Sequence, residues 1–518
     1  MQMTNTIKML LLGLLLIAFA CQPKASEEEA ESKKPNIVLI YLDDLGYGDV
    51  SAYKSGTLQT PNMDRLVNGG IKFTNGYASS ATCTPSRYAL LTGTYPWRNQ
   101  NAKILPGTAP LIIDTAQMTI PKMLRSQGYE TAVIGKWHLG LGTGVVDWNQ
   151  EISPNPNHVG FDHSHILAAT QDRVPTVYIE NGRVVNLDPN DPILVDYDKN
   201  FDGEPTAITN PELLTMKWHH GHNNSIVNGI PRIGFMKGGQ SAKWSDVDMA
   251  DHFLEKGKAY IKERSQSAEP FFLFFPMQQP HVPRTPHPRF EGKSGMGPRG
   301  DVILEADWVI GELYKTLEEE GLLENTLIVF SSDNGPVLND GYYDDAVEKL
   351  GNHTPAGVLR GGKYSLFEAG TKVPFITYWK GKIQPGVSDA FVTQIDLLAS
   401  LAALVGSSAS GPDSQNLLDA FLGKSQQGRE SFVLEATTRT ALRSGDWAMI
   451  PPYPGPAVQN QVNIELGNST DYQLFNLKDD PSQQTNLATS NPEKLEEMKK
   501  KYLEIRGDNS KIEQVELK

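Results

Sequence analysis

The chain has 518 residues, 39% of them hydrophobic, with two cysteines and a formal net charge of −14. That length exceeds one ordinary domain core. The acidic balance excludes a non-specific nucleic-acid binder, and once one cysteine is spoken for no disulfide framework remains.

Residues 1–20, "MQMTNTIKMLLLGLLLIAFA", hold a lysine and a short apolar run ahead of Cys21. The run is too short for a comfortable membrane span and reads as a signal-peptide core. A cysteine at the cleavage point resembles a bacterial lipobox, which makes Cys21 a lipidation site. The expectation is an exported lipoprotein of the outer membrane, on its periplasmic side or at the cell surface, touching the membrane only through its anchor. Residues 21–33 are polar and acidic, without a core pattern, and read as a disordered tether.

Residues 34–425 read as one catalytic domain, in which four segments share a design. "NIVLIYLDD" ends in Asp43 and Asp44, and "TAVIGKWHLG" presents Lys136 and His138. "PFFLFFPMQQPHVP" leads to His281, and "TLIVFSSDNG" ends in Asp333 and Asn334. Short runs that are apolar on both faces are strands of a largely parallel, buried sheet. Helical patterns precede the last three: "TIPKMLRSQG", "DMADHFLEKGKAYIKER" and "ILEADWVIGELYKTLEEEGL". The alternation predicts a layered α/β fold with its site at the carboxyl ends of the strands.

Between the first two strands lies "TCTPSRYALLTG". Thr84 suits a helix N-cap and Pro85 the first helical position, which puts Cys83 just ahead of a helix N-terminus. Free N–H groups there, with Arg87 one turn on, favour an anion. The segment 145–245 is rich in Pro, Asn, Gly and His, and is expected to form long loops over the strand ends. Residues 426–518 change character: "ESFVLEA", "TRTALRSGDWAMIPP" and "YQLFNL" are short strands and "PEKLEEMKKKYLEI" is a helix. They predict a C-terminal subdomain with a small antiparallel sheet and one helix.

Two chemistries fit the strand-end residues. Cys83 as a thiolate nucleophile needs a base, and His138 or His281 is available. Asp43, Asp44, Asp333 and Asn334 form instead a hard-oxygen set suited to Ca²⁺ or Mg²⁺.

The pentapeptide Cys83-Thr84-Pro85-Ser86-Arg87, followed by "LLTG", resembles the signature of type I, formylglycine-dependent sulfatases. So do "NIVLIYLDDLGYGD", "TPNMDRL", "GYETAVIGKWHLG", "QPHVP", "FSSDNG", "LRGGKYSLFEAGTKVPFI" and "YQLFNLKDDPSQQTNLA", and together they span nearly the whole mature chain. The resemblance implies an alkaline-phosphatase-like fold, a large mixed, mostly parallel sheet sandwiched by helices, and hydrolysis of sulfate monoesters. It implies that Cys83 becomes 3-oxoalanine (formylglycine) through a formylglycine-generating or anaerobic sulfatase-maturating enzyme. Asp43, Asp44, Asp333 and Asn334, with the modified Cys83, then bind one Ca²⁺ in preference to Mg²⁺. Arg87 holds the hydrated aldehyde, and Lys136 and Lys363 clamp sulfate oxygens. His281 serves the leaving alcohol, and His138 takes the proton of the second hydroxyl. A geminal diol explains a cysteine without a thiol role: one hydroxyl attacks sulfur and the other later expels sulfate.

The lipobox and the segments "GFDHSHILAATQDRVP" and "IVNGIPRIGFM" resemble bacterial sulfatases acting on glycan sulfates. The expected substrate is a sulfated oligosaccharide or polysaccharide: ulvan or carrageenan from algae, or a host glycan, with galactose-type 4-sulfates among the targets. His353, Arg360 and Arg173 are the candidate sugar contacts. His219, His220 and His222 read as pocket lining or surface rather than a second metal site, and Trp137 as packing. Tyr88, often alanine in relatives, is placed at the pocket border, and "EAG" at Glu368–Gly370 stands where many relatives have two glycines, with no catalytic consequence expected. Two alternatives compete: a formylglycine-dependent phosphonate or phosphate ester hydrolase, and a catalytically silent surface glycan-binding lipoprotein.

Overall fold

In the computed structural model, residues 33–507 are described, apart from 55 and 57. The signal segment, Cys21 and nearly all of the tether therefore lie outside the described residues. The first strand is β1 (Asn36–Leu42), and all seven of its residues are buried. Next come α1 (Pro61–Gly69), β2 (Ile71–Tyr77), α2 (Cys83–Thr92), α3 (Ile120–Ser126) and β3 (Glu130–Lys136). The strands β4 (His163–Leu167), β5 (Tyr178–Glu180) and β6 (Arg183–Val184) follow. After them lie α4 (Met249–Ser265), β7 (Phe271–Pro276), α5 (Gly297–Glu319), β8 (Thr326–Ser332), β9 (Phe375–Tyr378), β10 (Gly386–Thr393) and α6 (Leu397–Leu404).

The ten strands form one sheet in the order β10-β2-β9-β8-β1-β7-β3-β4-β5-β6. The four strands predicted from the sequence are its centre, β8, β1, β7 and β3, all parallel. β9 runs against both its neighbours and so does β5, which makes the sheet mixed. Alternate residues of β1 feed two cores. Ile37, Leu39 and Tyr41 pack with Phe272, Phe274, Leu327 and Val329 beneath α2, α3 and α6. Val38, Ile40 and Leu42 pack with Leu273, Phe275, Ile328 and Phe330 beneath α1, α4 and α5. Each such side chain taken from water contributes ~1.5–3 kcal/mol, so residues apolar on both faces belong at the sheet centre.

The segment 145–245 is not only loop, because β4, β5 and β6 extend the main sheet from it. Strands of two to five residues carrying His and Arg leave too little periodicity to read. The C-terminal strands are β11 (Ser431–Ala436), β12 (Arg439–Ser444), β13 (Trp447–Ile450) and β14 (Gln473–Asn476), an antiparallel sheet in that order. Helix α7 (Pro492–Arg506) buries Met498 and Tyr502 in the same core. That core also takes in Tyr77, Leu366, Phe367 and Phe391. β11 docks beside the loop before α2: Ala81 N–H donates to Glu435 O at 2.8 Å, and Glu435 N–H to Ser79 O at 3.2 Å. Among the described residues no helix is long and apolar enough to cross a membrane.

Candidate active site

The carboxyl ends of β8, β1, β7 and β3 converge with the start of α2. Asp43 and Asp44 follow β1 directly, and Asp44 takes a left-handed backbone, φ 65°. Asp333 follows β8, and its Oδ1 accepts from Asp44 N–H at 3.3 Å. Ligand oxygens of Asp43, Asp44 and Asp333 lie within 4.8 Å of one another, all buried. Burial, with repulsion from the neighbouring carboxylates, pushes Asp43 and Asp44 up from the usual carboxylate range.

Cations meet this charge. Arg87 donates from Nε and Nη2 to Asp333 Oδ2, at 3.0 and 2.8 Å, and from Nη1 to Lys136 O at 3.1 Å. Lys136 Nζ pairs with Asp43 Oδ2. It is aimed there by Gly135, whose φ of 137° and absent Cβ let β3 pass Pro276 O, which a Cβ would meet at 2.0 Å. Lys363 Nζ donates to Asp44 Oδ2 at 2.9 Å and to Asp340 Oδ2 at 2.8 Å. Burial alone would lower its pKa, but Asp340 and Asp44 hold the ammonium well above its usual value.

Two oxygens are left over. Asn334 Nδ2 donates to Asp44 Oδ1 at 2.7 Å and to Gly335 O at 2.9 Å, which turns its Oδ1 away from both. Among the described residues, Asn334 Oδ1 and Asp43 Oδ1 are buried without a hydrogen-bond partner. Buried acceptors left bare beside three carboxylates fit a hard divalent cation.

Cys83 is the first residue of α2, not the residue before it. Thr84 is not the cap: its hydroxyl donates to His138 O at 2.9 Å, and Thr82 holds the cap position. Pro85 is tolerated in the first turn because N–H groups there have no helical partner. Cys83 lies 2% exposed on the cleft wall, and burial pushes its thiol up to about 11. A thiol held in that form is a poor thiolate nucleophile.

His281 is buried, and its Nδ1–H donates to Val282 O at 2.7 Å. That leaves Nε2 facing Asp44, 3.9 Å from its Oδ2. His138, with φ 55°, bonds Leu105 O through Nε2 at 3.0 Å, and its buried Nδ1 has no partner among the described residues. Burial holds both imidazoles well below their usual value, helped by Lys136, Arg173 and Arg87 at His138 and by Lys363 and Lys136 at His281, so both are neutral.

The cleft measures about 300 Å³, at the small end for ligand pockets. Of the three candidate sugar contacts, Arg173 alone lines it. Arg173 binds Asp172, whose carboxylate also takes His222 Nε2 at 2.8 Å. Despite burial, Arg173 and His222 hold Asp172 well below the usual range. His353 is instead buried against Asp49, at 2.8 Å from its Oδ1, beside Arg299. Arg360 forks onto Glu465 at 2.8 and 2.7 Å and lies 4.0 Å over the Phe367 ring. Their closeness to Lys363 in sequence misled, because the loop turns at Gly361 (φ 86°) and Tyr364 (φ 73°).

His220 and His222 line the cleft, while His219 packs on Tyr343. Tyr88 belongs to the core, not the pocket border. Trp137 packs on Phe161 as expected. Ser164 is bound to Asn157 at 2.8 Å, and Glu368 accepts from the Tyr77 hydroxyl at 2.6 Å. Sequence reasoning missed Asp340, Asp172 and Glu435, all on the cleft wall. Asp340 finds its partner Lys363 only once the chain has folded, Asp172 binds the neighbouring Arg173 as well as the distant His222, and Glu435 reaches the cleft through a backbone pairing with residues 79–81.

The mixed, helix-covered sheet thus gathers three buried carboxylates, two lysines and an arginine at its central strand ends, an arrangement suited to a hydrolase of charged esters. Residues 35–407 match the sulfatase family model, and the chain belongs to the sulfatase family, with its alkaline-phosphatase-like fold. It is 50% identical over 495 residues to the N-acetylgalactosamine-6-O-sulfatase of Bacteroides thetaiotaomicron, covering 94% of this chain and 96% of that protein. Human arylsulfatase A is 28% identical over 494 residues, covering 92% and 88%. A structure solved in work on the metabolism of multiple glycosaminoglycans by Bacteroides thetaiotaomicron matches with a TM-score of 0.90 at 50% identity, covering 92% of this chain and 100% of that one. The protein is a sulfuric ester hydrolase.

Proposed function

We propose that this sulfatase removes the 6-O-sulfate of N-acetylgalactosamine in glycosaminoglycan-derived sugars, with a formylglycine made from Cys83 and one Ca²⁺. The observation that carries the substrate is the 50% identity, across 94% of the chain, to a relative of that named activity. On that similarity a host-type glycan takes precedence over ulvan or carrageenan, and the 6-sulfate over a 4-sulfate.

The chain's own residues supply the rest. Asp43, Asp44, Asp333 and Asn334, with the modified residue 83, are the ligands for the cation. When bound, the cation supplies positive charge to the nucleophilic oxygen and to sulfate. Lys136 and Lys363 reach the same centre and meet the remaining sulfate charge. His281, fixed through Nδ1, presents Nε2 for the leaving sugar oxygen. An anionic sulfate offsets the repulsion that Lys363 and Lys136 exert on that imidazole, and so favours its protonated form. His138 offers an unpartnered Nδ1 to a proton at position 83. Arg87, held by Asp333, keeps residue 83 oriented at the helix start. Asp172, Arg173 and His222 form a polar wall for sugar hydroxyls.

The test is sulfate release from N-acetylgalactosamine 6-sulfate, its 4-sulfate isomer, galactose 6-sulfate and carrageenan oligosaccharides. The first is expected to give the highest kcat/KM, and a ten-fold preference for another overturns the reading. Mass spectrometry of the peptide across residue 83 tests the nucleophile: a free thiol in fully active protein refutes it. Export as a lipoprotein is part of the proposal, and loss of lipid labelling in Cys21→Ala tests it.

A further inference from the structure

Glu435 stands out among the buried acids. It is 2% exposed, yet it lines the cleft with Cys83, Lys363 and Tyr364. Its Oε2 is buried without a partner among the described residues, and its Oε1 takes only a 3.4 Å bond from Thr438 N–H. Both its backbone groups are bonded to the loop before Cys83, through Ala81 and Ser79, which fixes where the side chain leaves the strand. A buried oxygen left without a partner costs its full desolvation, and such a group calls for an explanation.

The turn that follows is unusual in the same place. Ala436 and Arg439 pair across a two-residue connection, with φ of 50° at Thr437 and 72° at Thr438. Such turns favour Gly, Asn or Asp, and β-branched residues there are strained. Both threonines line the cleft. Strain of this kind persists where the side chains are needed.

We infer that Glu435, flanked by Thr437 and Thr438, is the subsite that accepts an uncharged N–H or O–H donor of the sugar bearing the scissile sulfate. The inference rests on the sulfated-sugar reading above. Every group assigned to sulfate or cation comes from the main sheet and its loops, whereas this subsite belongs to the C-terminal sheet. Burial pushes the Glu435 carboxyl up to about 8, so it is neutral at pH 7 and does not repel the anionic ester. The donor is an acetamido N–H or a ring hydroxyl.

The experiment measures kcat/KM for N-acetylgalactosamine 6-sulfate and galactose 6-sulfate, the inhibition constant of inorganic sulfate, and the melting temperature. The proteins are wild type, Glu435→Gln, Glu435→Leu and Thr438→Gly. Glu435→Leu is expected to lose about ten-fold in kcat/KM on the sugar, while sulfate inhibition, which reads the anion clamp, shifts less than about two-fold. Glu435→Gln keeps the acceptor and recovers most of the loss. Thr438→Gly melts higher and turns over sugar more slowly, which keeps the test alive should Glu435→Leu not fold. A loss confined to the N-acetylgalactosamine ester identifies the acetamido N–H, and an equal loss on both sugars a ring hydroxyl. Sulfate inhibition weakened in proportion to kcat/KM, or no loss on either sugar, overturns the inference. Wild-type protein inactive on both sugars overturns instead the substrate reading on which it rests.

Discussion

Two buried charge clusters sit within the first sixty residues of the described fold and its partners, and they are built differently. Around Asp49, the carboxylate is saturated: Arg299 donates to both oxygens at 2.9 and 2.6 Å, His353 to Oδ1 at 2.8 Å, and Gly46 N–H to Oδ2 at 2.7 Å. Around Asp43, only a few residues away, three carboxylates crowd together and two oxygens are left bare. The first cluster holds loops in place. The second is incomplete by itself, and it sits at the strand ends where the proposed chemistry is placed. What separates the two, among the described residues, is the state of the carboxylate oxygens: those of Asp49 are all engaged, although Arg299 Nε is not, whereas Asp43 keeps one oxygen bare beside that of Asn334.

That comparison is open to attack at several points. The largest effect is expected at the incomplete cluster: Cys83→Ser lowers multiple-turnover sulfate release by more than about a thousand-fold, with the melting temperature nearly unchanged. Next is the saturated cluster. Asp49→Ala strands Arg299 and His353 and costs about 3–5 kcal/mol by denaturant titration, while kcat at a permissive temperature is retained. An activity loss as large as that of Cys83→Ser would erase the distinction. The same variant has a pH signature. Burial would raise the Asp49 pKa, but Arg299 and His353 hold it below its unfolded value. Its contribution is therefore present above the unfolded pKa and is lost as pH falls through the folded one. Wild-type stability is expected to drop below about pH 4, and Asp49→Ala to show a shallower drop.

A smaller effect tests the bare oxygens. Ca²⁺ at a hundred times its dissociation constant is expected to stabilise the wild type by about 2.7 kcal/mol and Asn334→Ala much less. Equal stabilisation of both proteins would remove Asn334 from the ligand set. The smallest effect is at the rim: Arg360 and Glu465 are partly exposed, and Arg360→Ala is expected to cost about 0.2–1 kcal/mol with sulfate release unaltered.

The central strands and their terminal residues were legible because burial on both faces writes an unbroken apolar run, and the polar residue after it marks the strand end. Asp43, Asp44, Lys136, His281, Asp333 and Asn334 were all placed at or just beyond strand ends that way. Lys363 was reached only through family resemblance, since no strand delivers it. Asp340 and Glu435 stayed hidden because their meaning lies in partners far along the chain. Glu435 pairs its backbone with a loop more than 300 residues earlier, and Asp340 finds Lys363 only after the loop has folded. His353 and Arg360 show the converse error. Proximity in sequence to a functional lysine says little once left-handed turns intervene.

The helix that begins at Cys83 buries all ten of its residues. A small ester enters the cleft and reaches the side chain at position 83. A macromolecule has almost no surface of residue 83 to grip, since Cys83 is 2% exposed. If Cys83 is converted as proposed, burial makes the conversion a matter of timing, because a modifying enzyme would have to act before this helix packs. A molecule that folded first would then keep its thiol, and the active fraction of a preparation would record that order of events.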